Sequence, residues 1–411
     1  MSVENKISIF LSRIPIVKKI IKRVYQRLMY IIFPKVKLKG NIKKISPNDD
    51  MEYFFGYYDK SPWGKSDRYM LCLRVKQTYK SVAPNEEAEI ILIDTENDNS
   101  YRVIAKTKTW NVQQGCMLQW LGPNYSEKII YNDFRNGKYC SVILNIKTNK
   151  EKIIEMPVYS VSQDGKFALT LNFSRLHRLR KGYGYSNIPE STNEEKCPDK
   201  TCIWHINLEN GKIMPLIKYT DFANFESRSE MNDAEHKVNH IMINPSGNRF
   251  MVLHRWFKGS RKYTRLITVN CDGSDMYNLS DDDMISHCCW KNDNEILAFE
   301  TKKTIGNGYY LMKDKTQDYK QIYNELTSDG HPSYSPNGNM VITDTYPDRS
   351  RIANIYLIKG YNINKLVQVF APFKYDNDLR CDLHPRWNRK GNKVCFDSVF
   401  EGKRGLYTVD L

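Results

Sequence analysis

A polar turn followed by a short apolar strand occurs seven times between residues 62 and 397, and this repeat constrains the fold more than any other feature. Gly, Asn or Asp in the turn, with alternating or continuous apolar residues after it, is typical of a β-hairpin. The spacing is mostly about 40–57 residues, which is the range of a four-stranded propeller blade. The seven units are PWGKSDRYMLCL (62–73), QWLGPNYSEKIIY (119–131), VSQDGKFALTL (161–171), NPSGNRFMVLH (244–254), WKNDNEILAF (290–299), SPNGNMVITD (335–344) and NRKGNKVCFD (388–397).

The repeat predicts an all-β, seven-bladed β-propeller in which one blade carries a long loop. The interval from Gly165 to Gly247 is 82 residues and contains a polar stretch at 182–200. A parallel β-helix or a two-sheet sandwich would also contain many short strands, but neither predicts long repeats with a turn at a fixed phase. We therefore assign residues 46–411 to the propeller and residues 1–45 to a basic amphipathic helix and linker.

Positive charge is concentrated in the N-terminal segment. Residues 1–45 contain 12 of the 62 Lys and Arg residues but one of the 47 Asp and Glu residues, which accounts for most of the net charge of +15. The rest of the chain is nearly balanced, and it contains no recognised nucleic-acid-binding module. We therefore expect no nucleic-acid partner.

The same segment predicts a helix that lies on an anionic membrane surface. From Pro15 onward, apolar residues recur at helical spacing while Lys and Arg line other faces. The bases leave no uncharged stretch of the ~18–20 residues that a spanning helix needs. Packing on the propeller or on a protein partner is the alternative. The ten cysteines form no metal-binding or disulfide pattern, so we expect a cytoplasmic protein on the inner face of the membrane.

Four of the eight histidines occupy the same position of the repeat, seven residues before the turn residue. The first strand of a propeller blade lines the central channel, and this is the strand that precedes the turn. We therefore expect these side chains to converge from consecutive blades on one point near the axis, where a metal ion or a proton-transfer group could be held. They are His240, His287, His331 and His384.

Several stretches in the second half resemble the bacterial oligogalacturonate lyases, which are seven-bladed propellers of the TolB-like kind. The stretches are NHIMINPSGNRFMVLHRW, SHCCW and LHPRWNRKGNKVCFDSVFEGKRGLYTVDL. The resemblance covers about residues 50–411 and is clearest from His240 onward.

The resemblance implies a site for a divalent metal, which is manganese in that family. A family histidine before Glu-Phe-Trp is a ligand, and it is matched by His287 before Cys-Cys-Trp. A Gln-x-x-His-Pro-His-Pro motif supplies further ligands: its final histidine matches His384, its first falls on Asp382, and its glutamine falls on Leu379. An Asp remains a competent oxygen ligand. His331 is the residue that could complete the set.

The resemblance also implies a catalytic base at His254, which matches the histidine of a Cys-His-Glu-Gly motif in the family. Arg255 stands where that motif has Glu, so the charge beside the base differs. His240 is expected to support the site. We assign Arg255 to the catalytic site with His254. Arg255, Arg380 and Arg386 flank the predicted histidines and could bind acidic sugars through paired hydrogen bonds.

These patterns predict a carbohydrate-active enzyme, most concretely a metal-assisted lyase that cleaves uronic-acid glycans by β-elimination. A histidine can act as the base near neutral pH, and a metal can neutralise the substrate carboxylate. The expected partner is an acidic oligosaccharide or polysaccharide. Tyr57, Tyr58 and Trp63 could stack on its sugar rings, with packing in the core as the alternative. The alternative is a non-catalytic, membrane-attached propeller that binds glycans or acts as a scaffold in a cell-surface polysaccharide pathway.

Overall fold

A computed structural model describes residues 15–32 and 40–411 of the chain, and these residues form a seven-bladed β-propeller preceded by a helix. Each blade is a four-stranded antiparallel sheet. The predicted fold class is confirmed, and each of the seven predicted turns lies between the first and second strands of its blade.

The strands are assigned to blades in chain order. Blade 1 contains β2 (Glu52–Phe54), β3 (Tyr69–Val75), β4 (Ala88–Asp94) and β5 (Ser100–Thr107). Blade 2 contains β6 (Gln119–Trp120), β7 (Lys128–Arg135), β8 (Lys138–Asn145) and β9 (Glu151–Ile154). Blade 3 contains β10 (Ser160–Val161), β11 (Phe167–Leu171), β12 (Thr201–Asn207) and β13 (Ile213–Lys218). Blade 4 contains β14 (Glu235–Ile243), β15 (Arg249–Lys258), β16 (Arg261–Asn270) and β17 (Tyr277–Ser280).

The remaining blades follow the same plan. Blade 5 contains β18 (Ile285–Trp290), β19 (Glu295–Lys302), β20 (Gly306–Lys313) and β21 (Tyr319–Ile322). Blade 6 contains β22 (Ser333–Tyr334), β23 (Met340–Asp344), β24 (Ile352–Lys359) and β25 (Asn362–Phe370). Blade 7 contains β26 (Arg386–Trp387), β27 (Lys393–Ser398), β28 (Gly405–Asp410) and β1 (Ile42–Lys44). The helices are α1 (Pro15–Ile32), α2 (Phe173–Leu179) and α3 (Tyr219–Asn224), and two 3-10 turns span Ser229–Met231 and Asn377–Leu379.

The ring closes because β1 supplies the outermost strand of blade 7. Ile42 pairs with Val409 and Lys44 pairs with Tyr407 in antiparallel register. The propeller therefore includes a strand from the segment that the sequence assigned to the linker before residue 46. The predicted long loop of blade 3 lies between β11 and β12 and contains α2.

The core lies between the faces of neighbouring blades. The second strands β3, β15 and β27 are almost entirely buried, whereas the outermost strands β5 and β25 are largely exposed. Trp63 is 2% exposed and packs within a hydrophobic cluster of blades 1 and 2. The Trp63 ring therefore packs in the core, which was the alternative to its stacking on a sugar ring.

A buried ionic network joins blade 7 to blade 1. The Asp397 carboxylate accepts hydrogen bonds from Arg386 Nη2 at 3.0 Å and from Arg404 Nη2 at 3.1 Å. It also accepts the backbone N–H of Phe55, while Arg386 donates to the carbonyl of Gly56. Arg386 is 1% exposed. Its donors hold the two blades together, and it also lines a cavity of about 440 Å³ that Tyr58 borders, so its predicted substrate-binding role stays a prediction.

Helix α1 is confirmed, and it contacts the propeller through its basic and aromatic side. Arg23 forms an ion pair with Asp376. The Tyr30 ring lies 5.6 Å from Phe370 and 5.8 Å from Phe373. No helix of residues 15–32 and 40–411 is long and apolar enough to cross a membrane. The apolar side chains exposed along this helix are Val17, Ile20, Ile21, Val24, Leu28, Ile31 and Ile32.

Asp397→Asn is expected to lower the free energy of unfolding by about 3–5 kcal/mol, because it leaves two buried arginines without their counter-ion. Denaturant unfolding measures this change. The matched control is Asp410→Asn, which weakens exposed ion pairs on the neighbouring strand and should cost about 0–1 kcal/mol. Equal losses in the two variants would show that Asp397 does not hold the ring closed.

Candidate metal site in the central channel

The four histidines of the repeat converge in the central channel, as predicted. The ring centroids of His240 and His287 are 5.7 Å apart, those of His287 and His331 are 4.1 Å apart, and those of His331 and His384 are 4.3 Å apart. Each side chain lies at or before the first strand of its blade, and all four are buried. We call these four residues the histidine cluster.

Two of these histidines adopt an uncommon backbone conformation. The φ angle is +58° at His240 and +44° at His384, which is the left-handed region that non-glycine residues seldom occupy. His240 lies at an irregularity in the pairing of β14 with β15. Such a conformation costs about 1–3 kcal/mol and is typical of functional sites. The fold therefore turns both rings into the channel at a cost in backbone strain.

The Asp344 carboxylate positions two members of the cluster. One oxygen accepts hydrogen bonds at 2.8 Å from both the backbone N–H and Nδ1 of His331. The other oxygen accepts the backbone N–H of His384 at 3.0 Å. Because Nδ1 of His331 donates to Asp344, the Nε2 lone pair of that ring is left facing the channel.

Two atoms of the cluster and one atom of the neighbouring Asp382 are buried and lack any hydrogen-bond partner. They are His331 Nε2, His384 Nε2 and one carboxylate oxygen of Asp382. The other nitrogen of His384 donates to Gly56 O at 2.9 Å, and the other oxygen of Asp382 accepts from Arg380 Nε at 2.6 Å. Ligand atoms of the three residues lie within 4.8 Å of one another. Unpartnered buried polar atoms are costly, so this triad fits a bound divalent cation.

His287 lies beside the triad of His331, Asp382 and His384. Its Nδ1 is 3.1 Å from an oxygen of Asp329, which orients the ring in the same way that Asp344 orients its neighbour. His287 was expected to be a leading ligand and His331 a substitute. The structure instead groups His331 with Asp382 and His384, and it places His287 as the adjacent ring.

Burial keeps most of the cluster neutral. It lowers the pKa of His240 and His384 well below the ordinary value, and it lowers that of His287 to about 4. Burial also opposes the charged form of His331, but the Asp344 carboxylate outweighs this and raises its pKa. Neutral imidazoles have lone pairs that can bind a metal or accept a proton.

Aromatic residues surround the cluster. The Tyr57 hydroxyl lies 2.8 Å from His240 Nδ1, and the Tyr58 ring lies 5.1 Å from that of His331. The Tyr58 hydroxyl donates to the carbonyl of Cys288, and Tyr58 also lines a cavity of about 440 Å³. Tyr58 therefore lines the channel, where its contact with a substrate stays a prediction.

Arg380 also borders the cluster. Its guanidinium lies 4.3 Å from the centre of the Tyr346 ring and forms an ion pair with Asp382. This places Arg380 beside the triad, as its predicted role in binding acidic groups requires.

His254 does not join the cluster. Its Nε2 lies 2.9 Å from His236 Nδ1, and its Nδ1 accepts a hydrogen bond from Arg265 at 3.1 Å. Its ring also stacks on Phe222. A histidine with both ring nitrogens engaged in the core has no lone pair for a substrate proton. The prediction that His254 is the base is therefore wrong, because both of its ring nitrogens are already hydrogen-bonded. The neighbouring residue Arg255 lies on the opposite face of the strand.

Sequence reasoning missed the residues that orient the cluster. Asp344 ends β23 and looks like an ordinary strand-end carboxylate, and Asp329 lies in a loop. Tyr57 was noted only as one aromatic residue among several. For Asp329 the sequence did contain a signal, because this residue lies two positions before His331 with a single glycine between them.

The fold is similar to that of solved oligogalacturonate lyases. The crystal structure of oligogalacturonate lyase from Vibrio parahaemolyticus has 12% sequence identity and a TM-score of 0.64, covering 92% of this chain and 95% of that one. An oligogalacturonate lyase in complex with manganese has 13% identity and a TM-score of 0.67, with the same coverage. Hydrazine synthase from Kuenenia stuttgartiensis has 9% identity and a TM-score of 0.50, covering 88% of this chain and 96% of that one.

The resemblance to the lyases is therefore confirmed at the level of the fold. No protein-family model matches the sequence, and no curated protein matches it significantly. Since a protein called hydrazine synthase shares the architecture, the fold alone does not define the reaction.

Asp344→Asn is expected to weaken Mn²⁺ binding about 10–100-fold, because the amide no longer fixes the ring of His331 as a carboxylate does. Calorimetric titration of chelator-treated protein with Mn²⁺ measures the affinity. His205→Gln is the matched control, since this ring stacks on Phe167 in blade 3. Unchanged affinity in Asp344→Asn would contradict the assigned site.

Proposed function

We propose that this protein is a metal-assisted lyase that cleaves uronic-acid glycans by β-elimination. The observation that carries the proposal is the buried triad of His331, Asp382 and His384, with an unpartnered atom on each residue, beside a neutral histidine. The fold-level similarity to an oligogalacturonate lyase in complex with manganese supports the same reaction class and the same metal. A bound divalent metal would supply positive charge that neutralises a substrate carboxylate and makes the adjacent carbon acid easier to deprotonate.

His240 is the residue that we assign to proton abstraction. Its pKa is well below the usual value because of burial and then the positive charge of Arg255, so the ring is neutral near pH 7. The Tyr57 hydroxyl lies 2.8 Å from Nδ1 and 3.3 Å from Nε2 of this ring, so the Nε2 lone pair is available to a substrate proton in the tautomer whose Nδ1–H donates to Tyr57. His240 therefore replaces His254 as the proposed base, and Tyr57 positions it.

Two arginines favour acidic groups on the substrate. Arg380 lies next to the triad and is already paired with Asp382, so it can share its remaining donors. Arg255 is buried and supplies positive charge that lowers the pKa of His240. This arrangement favours an acidic oligosaccharide or polysaccharide as the substrate.

His240→Ala is expected to reduce turnover about 10²–10⁴-fold with Mn²⁺ affinity unchanged, because it removes a general base and not a ligand. The assay follows the ultraviolet absorbance of the conjugated unsaturated product on several oligouronides. His205→Gln should keep full activity. Unsaturated product from none of the uronides would contradict the lyase proposal, and full activity in His240→Ala would contradict only the base assignment.

We also propose that α1 attaches the propeller to the inner face of an anionic membrane. The second candidate function is therefore that of a membrane-attached module that binds glycans. The helix contacts the propeller with Arg23 and Tyr30, and it exposes its apolar side. Lys22 and Arg27 are exposed beside that side. An apolar stripe bordered by bases fits the headgroup region of anionic lipid.

Val24→Glu combined with Leu28→Glu is expected to abolish co-sedimentation with phosphatidylglycerol vesicles, because charged groups would have to enter the acyl boundary. The wild-type protein should sediment with these vesicles and much less with phosphatidylcholine vesicles. The matched control is Tyr361→Glu, which alters an exposed hydrophobic residue in the turn between β24 and β25. Sedimentation unchanged by the double variant would exclude this attachment.

A further inference from the structure

One face of the blade 4 sheet carries a row of polar and basic side chains. Lys237 pairs with Arg255 across β14 and β15, and Arg255 pairs with Thr264 across β15 and β16. Residues directly opposite in an antiparallel sheet project to the same face, and so do residues two apart along a strand. Asn239 and Lys262 therefore share this face. We call these five residues the basic row.

The basic row contains several buried atoms without partners. They are Arg255 Nε, Thr264 Oγ1 and both polar side-chain atoms of Asn239. The Lys237 side chain has one long hydrogen bond, 3.3 Å to Leu179 O, and Arg255 has one at 3.4 Å to Ile285 O. Lys237 is 2% exposed and Arg255 is 3% exposed. Buried donors are normally satisfied, so this concentration of unsatisfied donors requires an explanation.

The cations of the row also lack counter-ions. Within residues 40–411, none of Lys237, Arg255 and Lys262 forms an ion pair, whereas the buried Arg249 of the same blade pairs with Asp314. On the opposite face of the sheet, Arg265 donates to the carbonyls of Phe222 and Phe225. The fold thus satisfies its other buried arginines in this blade and leaves the basic row unpaired.

The unpaired cations destabilise one another. Burial and then Arg180 lower the pKa of Arg255 to about 10. Repulsion by Arg255, followed by burial, lowers the pKa of Lys262 to about 8. Lys262 is the second residue of β16 and is exposed, so the row reaches the surface there. A bound anion would remove this repulsion and satisfy the unpartnered donors.

We propose that the basic row binds an oxyanion, with Arg255, Lys237, Asn239 and Thr264 as its donors. Asn239 directly precedes His240 on β14, so the row lies next to the proposed base. As an account of substrate choice, the inference rests on the proposed function. Together with that function, the oxyanion site implies a substrate glycan with two acidic groups. One group binds at the triad, and the second, a carboxylate or a sulfate, binds at the basic row.

The test measures anion binding directly and uses no activity assay, so its result is independent of the lyase proposal. Sulfate is titrated into chelator-treated protein against a sodium chloride background of constant ionic strength, with calorimetry and thermal unfolding as readouts. Arg255→Met and Lys237→Met should each weaken sulfate binding about tenfold or more, because each removes a charge-assisted hydrogen bond. Lys258→Met, on the exposed end of the same strand, is the matched control and should bind sulfate as the wild type does.

A second titration uses trigalacturonate on the same proteins and distinguishes the source of the anion. Weaker trigalacturonate binding in Arg255→Met and Lys237→Met would identify the oxyanion as a substrate group. A sulfate effect without a trigalacturonate effect would identify a site for a free inorganic anion and overturn the substrate assignment. No sulfate binding to the wild type, or equal binding in all variants, would overturn the site itself.

Discussion

The carboxylate of Asp397 connects the closure of the ring to the chemistry in its channel. It holds Arg386 and Arg404 in the buried junction between blades 7 and 1. Arg386 in turn donates to the Gly56 carbonyl, and this same oxygen accepts Nδ1–H of His384. The orientation of a proposed metal ligand thus depends on the ion pair that joins the last blade to the first. A Cβ at residue 56 would lie 2.8 Å from Gln114 O, so glycine is required there.

The architecture was predictable because its signals are local. Each blade has a turn between its first two strands, and turn chemistry is encoded in a few adjacent residues. The strand β1 was not predictable in this way, since it is three residues long and its partner β28 lies more than 360 residues later. The same constant phase of the repeat predicted that the four histidines would converge.

The roles of individual residues were less predictable because they depend on the direction of each side chain. His254 and Arg255 are adjacent on β15, and strand alternation places them on opposite faces: His254 faces Phe222, and Arg255 donates to Ile285 O of blade 5. An irregularity near His240 shifts the register of β14, so counting along that strand does not give its direction. Asp344 and Asp329 act through contacts with another residue, which no spacing in the sequence specifies. Trp63 and Arg386 are residue types that often bind sugars. In this fold the Trp63 ring packs in the core, and Arg386 links blade 7 to blade 1.

The pairing of β1 with β28 makes folding of the ring a late event. Contacts this distant in sequence carry a high entropic cost of loop closure and slow the search for the native topology. During synthesis, Ile42–Lys44 has no partner until Gly405–Asp410 has emerged from the ribosome. Blade 7 therefore remains incomplete while the other six can assemble, and its unpaired strand edge is open to other chains in that interval. Helix α1 precedes this strand. Under the membrane attachment that we propose for α1, the unpaired strand would be held apart from other nascent chains.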